Sequence, residues 1–371
     1  MFKKKILPGI LVCAGALLIA ALFTVSLGES ASAQQAFTPV EELGKFIFFD
    51  ENLSEPAGQS CASCHHPAAG FAEPDQTLPV SEGVIPGRFG NRNSPSAAYA
   101  AFTPVFDARK TLGGQFWDGR APDLVEQAKG PFLNPVEMNN PDKAAVIGKI
   151  AVSQYADLFE QVFGPDAFAD VEAAYHNMAT AIAAYESTVE VNKFTSKFDA
   201  YQAGLVELTP QEALGEKLFN GSAKCHHCHP TKTSGGDPIL FTDFDYHNLG
   251  LPQNTEYPFN LQNPIPIDLG LGAITMEPRD NGKFKTPHLR NIVLTSPYMH
   301  NGLLKTLKEV VNFYNTRDVP GMWDPPEVPQ NLDSKFLGDL GLTDAEENAI
   351  VVFMETFTDG YMIPYANPGK K

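Results

Sequence analysis

Two short segments carry the most direct chemistry. Cys61-Ala62-Ser63-Cys64-His65 and Cys225-His226-His227-Cys228-His229 share the spacing C-x-x-C-H, the attachment sequence of a c-type haem. Thiols at this spacing can add to the two vinyl groups on one side of a porphyrin, and the residue that follows then reaches the iron from below. A histidine at that place supplies the axial imidazole. An isolated copy could be a zinc-binding or redox C-x-x-C followed by a chance histidine. Two copies, which use every cysteine but Cys13, argue against that. They also argue against the two disulfides that four cysteines in an oxidising compartment would otherwise suggest.

Each motif follows a similar stretch. Thr38-Pro39-Val40-Glu41-Glu42-Leu43-Gly44-Lys45-Phe46-Ile47-Phe48 precedes the first, and Thr209-Pro210-Gln211-Glu212-Ala213-Leu214-Gly215-Glu216-Lys217-Leu218-Phe219 the second. Thr at the N-cap, Pro at the first helical position and Glu at the third form a capping-box pattern. The repeat predicts a mainly α fold of two cytochrome c-like haem domains with long irregular loops, one over residues 34–207 and the other over 208–371. Apolar positions at helical spacing over 142–163 and 171–203 predict further helices whose apolar faces are core. Residues 230–283 are dense in Pro, Gly and Asn and predict a loop around the second haem. A last helix is expected from about Thr343, with Glu346 at its third position, to Phe357.

Lys3, Lys4 and Lys5, an apolar stretch from Ile6 to about Leu27, and Ala31-Ser32-Ala33 read as a secretory signal over residues 1–33, and hence as export to the periplasm. The apolar stretch is also long enough to span a bilayer, so an uncleaved anchor is the alternative. Val12 before Cys13 argues against a lipoprotein signal. Cleavage removes three lysines and Glu29 and moves the formal net charge from −17 to about −19, a field that repels nucleic acid and anionic membranes and favours basic partners. Solubility of an exported protein is the plainer reading of the same charge.

With the haem motifs placed, further segments carry a resemblance that spans nearly the whole mature chain. They are Leu43-Gly44-Lys45-Phe46, Arg92-Asn93-Ser94-Pro95-Ser96, Phe116-Trp117-Asp118-Gly119-Arg120, Gln127-Ala128, Phe284-Lys285-Thr286-Pro287-His288-Leu289-Arg290-Asn291 and Leu294-Thr295-Ser296-Pro297-Tyr298-Met299-His300-Asn301-Gly302. In their order and number they resemble the bacterial di-haem cytochrome c peroxidases and their MauG-type relatives. The resemblance implies two covalently bound haem c groups, His65 on the reactive iron and His229 on the electron-relaying iron. It places Trp117 between the haems, although a tryptophan without context is more often core.

The resemblance also assigns Gln127 and Glu137 to the peroxide pocket, where a group must move a proton from the near to the leaving oxygen, and Pro131 to shaping that pocket. Taken alone, Glu137 reads as an exposed loop carboxylate. Asn93, Thr295 and Pro297 match the family's calcium site, the last two through backbone carbonyls, and oxygen-only ligands suit Ca²⁺.

Two departures bear on subtype. Relatives that need reductive activation cap the reactive iron with a histidine from the loop after the first haem. Between Pro67 and Ala98 this chain has no His, Met, Lys, Cys or Tyr, and His66 adjoins the proximal ligand. An open first iron is expected, with His176 and His247 the histidines that would have to arrive from elsewhere. At the second haem, where the peroxidases place a methionine, the count reaches Tyr314, as in MauG-type proteins. A tyrosinate oxygen is a hard anionic ligand that favours ferric iron. The alternatives are Tyr314 as a core aromatic, with Met276, Met299 or Met322 as ligand.

Three functions compete. The first is a peroxidase that reduces H2O2 with electrons from a small periplasmic cytochrome c or copper protein. The second is a MauG-like enzyme whose oxidised di-haem unit oxidises an aromatic residue of a partner protein. The third is an electron carrier, disfavoured because carriers cap both irons and need no acid–base pair. None involves nucleic acid, and a homodimer is left open.

Overall fold

Thr209 begins a helix as its sequence predicts: its hydroxyl accepts from the Glu212 N–H at 3.3 Å while the Glu212 carboxylate accepts from the Thr209 N–H at 2.7 Å. Thr38 and Glu41 pair in the same sense at the start of the first repeat. Such a cap contributes about 1 kcal/mol and fixes where the helix starts. The computed structural model describes residues 36–233 and 236–363; the expected signal segment over 1–33 lies outside them.

Among the described residues the fold is mainly helical. The helices are α1 (Pro39–Phe48), α2 (Cys61–Cys64), α3 (Leu124–Ala128), α4 (Gly130–Leu133), α5 (Lys143–Ala151), α6 (Ala156–Phe163), α7 (Val171–Glu186), α8 (Lys197–Gln202), α9 (Pro210–Phe219), α10 (Gly272–Thr275), α11 (Leu307–Thr316) and α12 (Asp344–Glu355). The sheet is one short antiparallel pair, β1 (Tyr246–His247) with β2 (Phe284–Lys285), Tyr246 opposite Lys285. No helix among the described residues is long and apolar enough to cross a membrane.

The repeat recurs in three dimensions. Helix α1 packs on α7, and α9 on α12. Both contacts close at a glycine of the shared Leu-Gly pair. A Cβ on Gly44 would stand 1.8 Å from the Ala181 carbonyl oxygen, and one on Gly215 2.0 Å from that of Ala349. Helix backbones touch where the side chain is missing. Around the first contact lies a cluster that includes Leu43, Ile47, Phe48, Ile182 and Tyr185, and around the second one with Leu218, Phe219, Ile350, Phe353 and Phe357. Full burial of each such side chain stabilises by roughly 1.5–3 kcal/mol. The clusters interlock along the sequence, since Phe198 of α8 packs in the second and Leu240 in the first.

The two long periodic segments are each interrupted. Between α5 and α6, buried Tyr155 anchors the turn through its hydroxyl, which donates to Asp50 at 2.6 Å. After α7, the buried Asn192 amide donates to the carbonyls of Glu186 at 2.8 Å and Thr188 at 2.9 Å. A side chain that takes the last carbonyls of a helix competes with its continuation. The described residues among 230–283 are irregular apart from β1, α10 and short 3-10 turns.

Candidate active site

The first C-x-x-C-H folds as α2 with His65 at its C-terminal cap. His65 Nδ1 lies 3.3 Å from the Phe71 carbonyl oxygen. A proton held there leaves Nε2 as the free lone pair, the arrangement that orients a metal-binding imidazole. Burial pushes this histidine's pKa down, which favours the neutral form. A cavity of about 140 Å³ opens beside Cys61, Cys64 and His65.

Three short elements deliver the opposing wall. Asp123 caps α3 by accepting from the Glu126 N–H at 3.0 Å, and α3 carries Gln127. Pro131 lies in α4, whose carbonyl at Pro131 accepts from the Met138 N–H at 3.2 Å and so folds the next turn back. That turn holds Glu137. Gln127, Pro131 and Glu137 all line the first cavity. Glu137 is therefore half-buried and faces the cavity, unlike the exposed loop carboxylate that its local sequence suggests. Burial raises its carboxyl above the ordinary range, against the opposing pull of Arg120 and a hydrogen bond from Asn134.

The second motif is built alike. His229 Nδ1 lies 2.7 Å from the Phe241 carbonyl oxygen, and burial again favours neutral imidazole. Cys225, Cys228 and His229 line a cavity of about 250 Å³ together with Tyr314 from α11 and Met299. Met276 and Met322 stand exposed, 81% and 51%. Burial is the main cause that pushes the Tyr314 phenol up. His176 is exposed on α7. His247 lines the second cavity between Asp333, 3.1 Å from Nδ1, and Asp243, 3.5 Å from Nε2, which push it up to about 12. His66 is exposed and accepts from the Ala68 N–H.

The donor sets fit two haem groups. The four cysteines of the two motifs are free thiols on cavity walls, and each proximal imidazole is anchored through Nδ1. On the second cavity, His288 Nδ1 and His300 Nε2 are buried without a hydrogen-bond partner. Leaving such atoms unpaired costs about 1–3 kcal/mol each, and the carboxylates of a haem are acceptors that suit them.

Trp117 belongs to the walls of both cavities. Its indole N–H donates to the Asn93 carbonyl at 2.8 Å, and its own carbonyl accepts from the Lys285 N–H of β2 at 2.9 Å. Segments from both halves of the chain thus fix the ring. Asn93 also lines both cavities, and Thr295 and Pro297 line the second. The Asn93 amide donates to the Pro79 carbonyl at 3.1 Å, which turns its oxygen away from that contact.

Two cavity residues lie outside those singled out from the sequence. Lys285 is half-buried on the second cavity, pushed down to about 8 by burial against the pull of Asp118. Its place within Phe284-Lys285-Thr286-Pro287 was the available signal. Glu186, at the end of α7, lines the first cavity; nothing in its local sequence marks it.

A family model described as di-haem cytochrome c peroxidase matches residues 38–207. The methylamine utilization protein MauG of Paracoccus denitrificans is 39% identical over 362 residues, covering 91% of this chain and 93% of that protein. The cytochrome c551 peroxidase of Pseudomonas aeruginosa is 35% identical over 303 residues, covering 81% and 77%. The crystal structure of the diheme peroxidase BthA from Burkholderia thailandensis is similar with a TM-score of 0.79 and 35% identity, covering 88% of this chain and 87% of that one.

Proposed function

The chain belongs to the di-haem cytochrome c peroxidase and MauG family of oxidoreductases, and on that premise we propose that it is a periplasmic peroxidase that reduces H2O2 at the haem of Cys61, Cys64 and His65. Electrons would come from a small cytochrome c or copper protein and pass through the haem of Cys225, Cys228 and His229. The reading takes residues 34–207 as the peroxidatic domain and 208–371 as the electron-transfer domain, following the repeated helix and haem motif.

The observation that carries it is the asymmetry of the two pockets. The first sets Gln127, Pro131 and Glu137 around a cavity to which the loop 67–98 brings no His, Met, Lys, Cys or Tyr. The second sets Tyr314 and Met299 on the cavity of His229. Haem supplies the irons that accept peroxide and store electrons. Glu137 moves the proton of the near peroxide oxygen to the leaving oxygen, which departs as water. Gln127 orients the peroxide through its amide, Pro131 shapes the space around it, and Trp117 bridges the two haems. Two electrons and two protons convert each H2O2 into two waters. Asn93, with the Thr295 and Pro297 carbonyls, would hold Ca²⁺.

One observation favours the MauG-like reading. Tyr314 lines the second cavity while Met276 and Met322 are exposed, and tyrosinate would hold that iron ferric, better suited to sharing oxidising equivalents than to storing an electron. Rapid mixing of the fully ferric protein with H2O2, followed by addition of reduced cytochrome c, tests the proposal. A direct reaction, with two donor equivalents oxidised per peroxide, supports the peroxidase. No reaction before reduction overturns the open first site. Direct reaction without donor turnover, together with peroxide-dependent modification of an aromatic residue on a partner protein, favours the MauG-like enzyme.

A further inference from the structure

The two haem pockets differ at one position that the repeat makes equivalent. Gly44 meets Ala181 and Tyr185 of α7 as Gly215 meets Ala349 and Phe353 of α12. In that register Ile182 matches Ile350 and Glu186 matches Met354. All four line their cavities, Ile182 and Glu186 the first, Ile350 and Met354 the second. Where the relay pocket has a thioether, the reactive pocket has a carboxyl group.

Glu186 is only 5% exposed. Its main-chain carbonyl is engaged by Asn192, but among the described residues its carboxyl oxygens have neither a hydrogen bond nor an ion pair. Burial alone pushes it up to about 8. The charged groups on the surrounding elements are engaged elsewhere. Lys45 of α1 pairs with Glu190, Lys129 with Glu126 of α3, and on α5 Lys143 pairs with Glu172 and Lys149 with Glu55. Glu41 and Glu42 lie in the first turn of α1. Across the cavity, Glu137 has Arg120, and Cys61 and Cys64 no longer titrate once they are thioethers. A mostly buried acid without an ion pair costs stability, and it stands on the first cavity where the second has the apolar Met354.

We propose that Glu186 is a positioning residue for the first haem, a carboxyl whose proton offsets the charge of the neighbouring iron. When a one-electron donor reduces that iron from ferric to ferrous, the Glu186 carboxylate takes up one proton from solvent, and it releases the proton when the iron is reoxidised. An added negative charge in a low-dielectric cavity raises the proton affinity of a nearby acid. Peroxide reduction consumes protons as well as electrons, and this coupling brings one of each to the same pocket.

The inference rests on the reading of the first haem site. The test is spectroelectrochemical titration of the full-length protein with both haems attached, from about pH 6 to 10. Between the ferric-state and ferrous-state proton affinities of Glu186, each pH unit should change the ferric-to-ferrous ratio of the first haem tenfold at fixed potential, which is about 59 mV. Glu186→Gln should flatten this dependence, and so should Glu186→Met, which installs the residue of the second pocket. Glu186→Asp should retain it over a shifted range, and the second haem should be unaffected in all three. A wild-type slope in Glu186→Gln and Glu186→Met, or a slope lost in Glu137→Gln but kept in those two, would overturn the proposal. Loss of the first haem from all three variants would assign Glu186 to packing and overturn it too. A wild-type protein with no haem at Cys61 and Cys64 would overturn the parent reading along with it.

Discussion

Replacing Gly44 with alanine adds one methyl group and sets two effects of opposite sign against each other. In a helix interior alanine is favoured over glycine by about 1 kcal/mol, so propensity alone predicts stabilisation. The new Cβ, however, would lie 1.8 Å from the Ala181 carbonyl oxygen, 2.5 Å from its carbon and 3.0 Å from Tyr185 Cβ. Ordinary contact begins near 3.4 Å, so α1 and α7 must separate by about 1.6 Å. The obstacle is helix backbone, which cannot swing aside as a side chain would. Separation loosens Leu43, Ile47, Phe48, Ile182 and Tyr185, none more than 1% exposed. Overpacking of this kind costs roughly 1–3 kcal/mol, and partial loss of those contacts adds to it. The expected net is destabilisation by about 2–4 kcal/mol, with disturbance of the first haem, because α7 also carries Ile182 and Glu186 to that cavity. Denaturant unfolding of the protein with both haems attached, followed by far-ultraviolet dichroism and haem absorbance, measures it. Gly148→Ala on α5, where nothing lies within 4 Å, is the control and should stabilise by up to about 1 kcal/mol. If Gly44→Ala is as benign as that control, the close contact of α1 with α7 is wrong.

Glu137→Gln keeps the volume and removes the titrating group, so peroxide cleavage should slow by roughly 10²-fold or more with little change in haem spectra; unaltered rapid-mixing kinetics would return Glu137 to an ordinary pocket residue. Tyr314→Met should raise the potential of the second haem by on the order of 0.1 V while sparing the first reaction with peroxide, and an unchanged redox titration would remove Tyr314 as ligand. Burial would raise the Asp268 carboxyl, but hydrogen bonds and charge from Arg92 outweigh it and hold it below the usual range. That stabilisation is complete above the unfolded value of about 3.9 and is lost as pH falls through the lower folded value. The thermal midpoint should therefore drop at acid pH, and Asp268→Asn should reduce that dependence; an identical acid profile in the variant would show the pair to be neutral.

What was legible in the sequence was local. Thr-Pro-x-Glu announces a helix start because all its hydrogen bonds lie within one turn, and it placed α1 and α9 to the residue. C-x-x-C-H announces a haem because one turn of chain holds both thiols and the imidazole. The rest depends on residues distant in sequence. Asn192 ends α7 by folding back on Glu186 and Thr188, a contact with no periodic signature. Phe198 packs in the second apolar cluster, where its N–H donates to the Thr356 carbonyl, a partner far away in sequence. Glu186 sits in a helix whose alternation looks like any surface-to-core pattern. Its equivalence to Met354 emerges only once Gly44 and Gly215 are seen to press against Ala181 and Ala349.

The central claim is that the two haem sites are built for different work, the first open to peroxide and the second capped by Tyr314. Electron paramagnetic resonance of the fully ferric protein at neutral pH tests it most directly. One high-spin and one low-spin haem are predicted, because the loop 67–98 brings no His, Met, Lys, Cys or Tyr to the first cavity while Tyr314 lies on the cavity of His229. Two low-spin, six-coordinate haems would contradict the account.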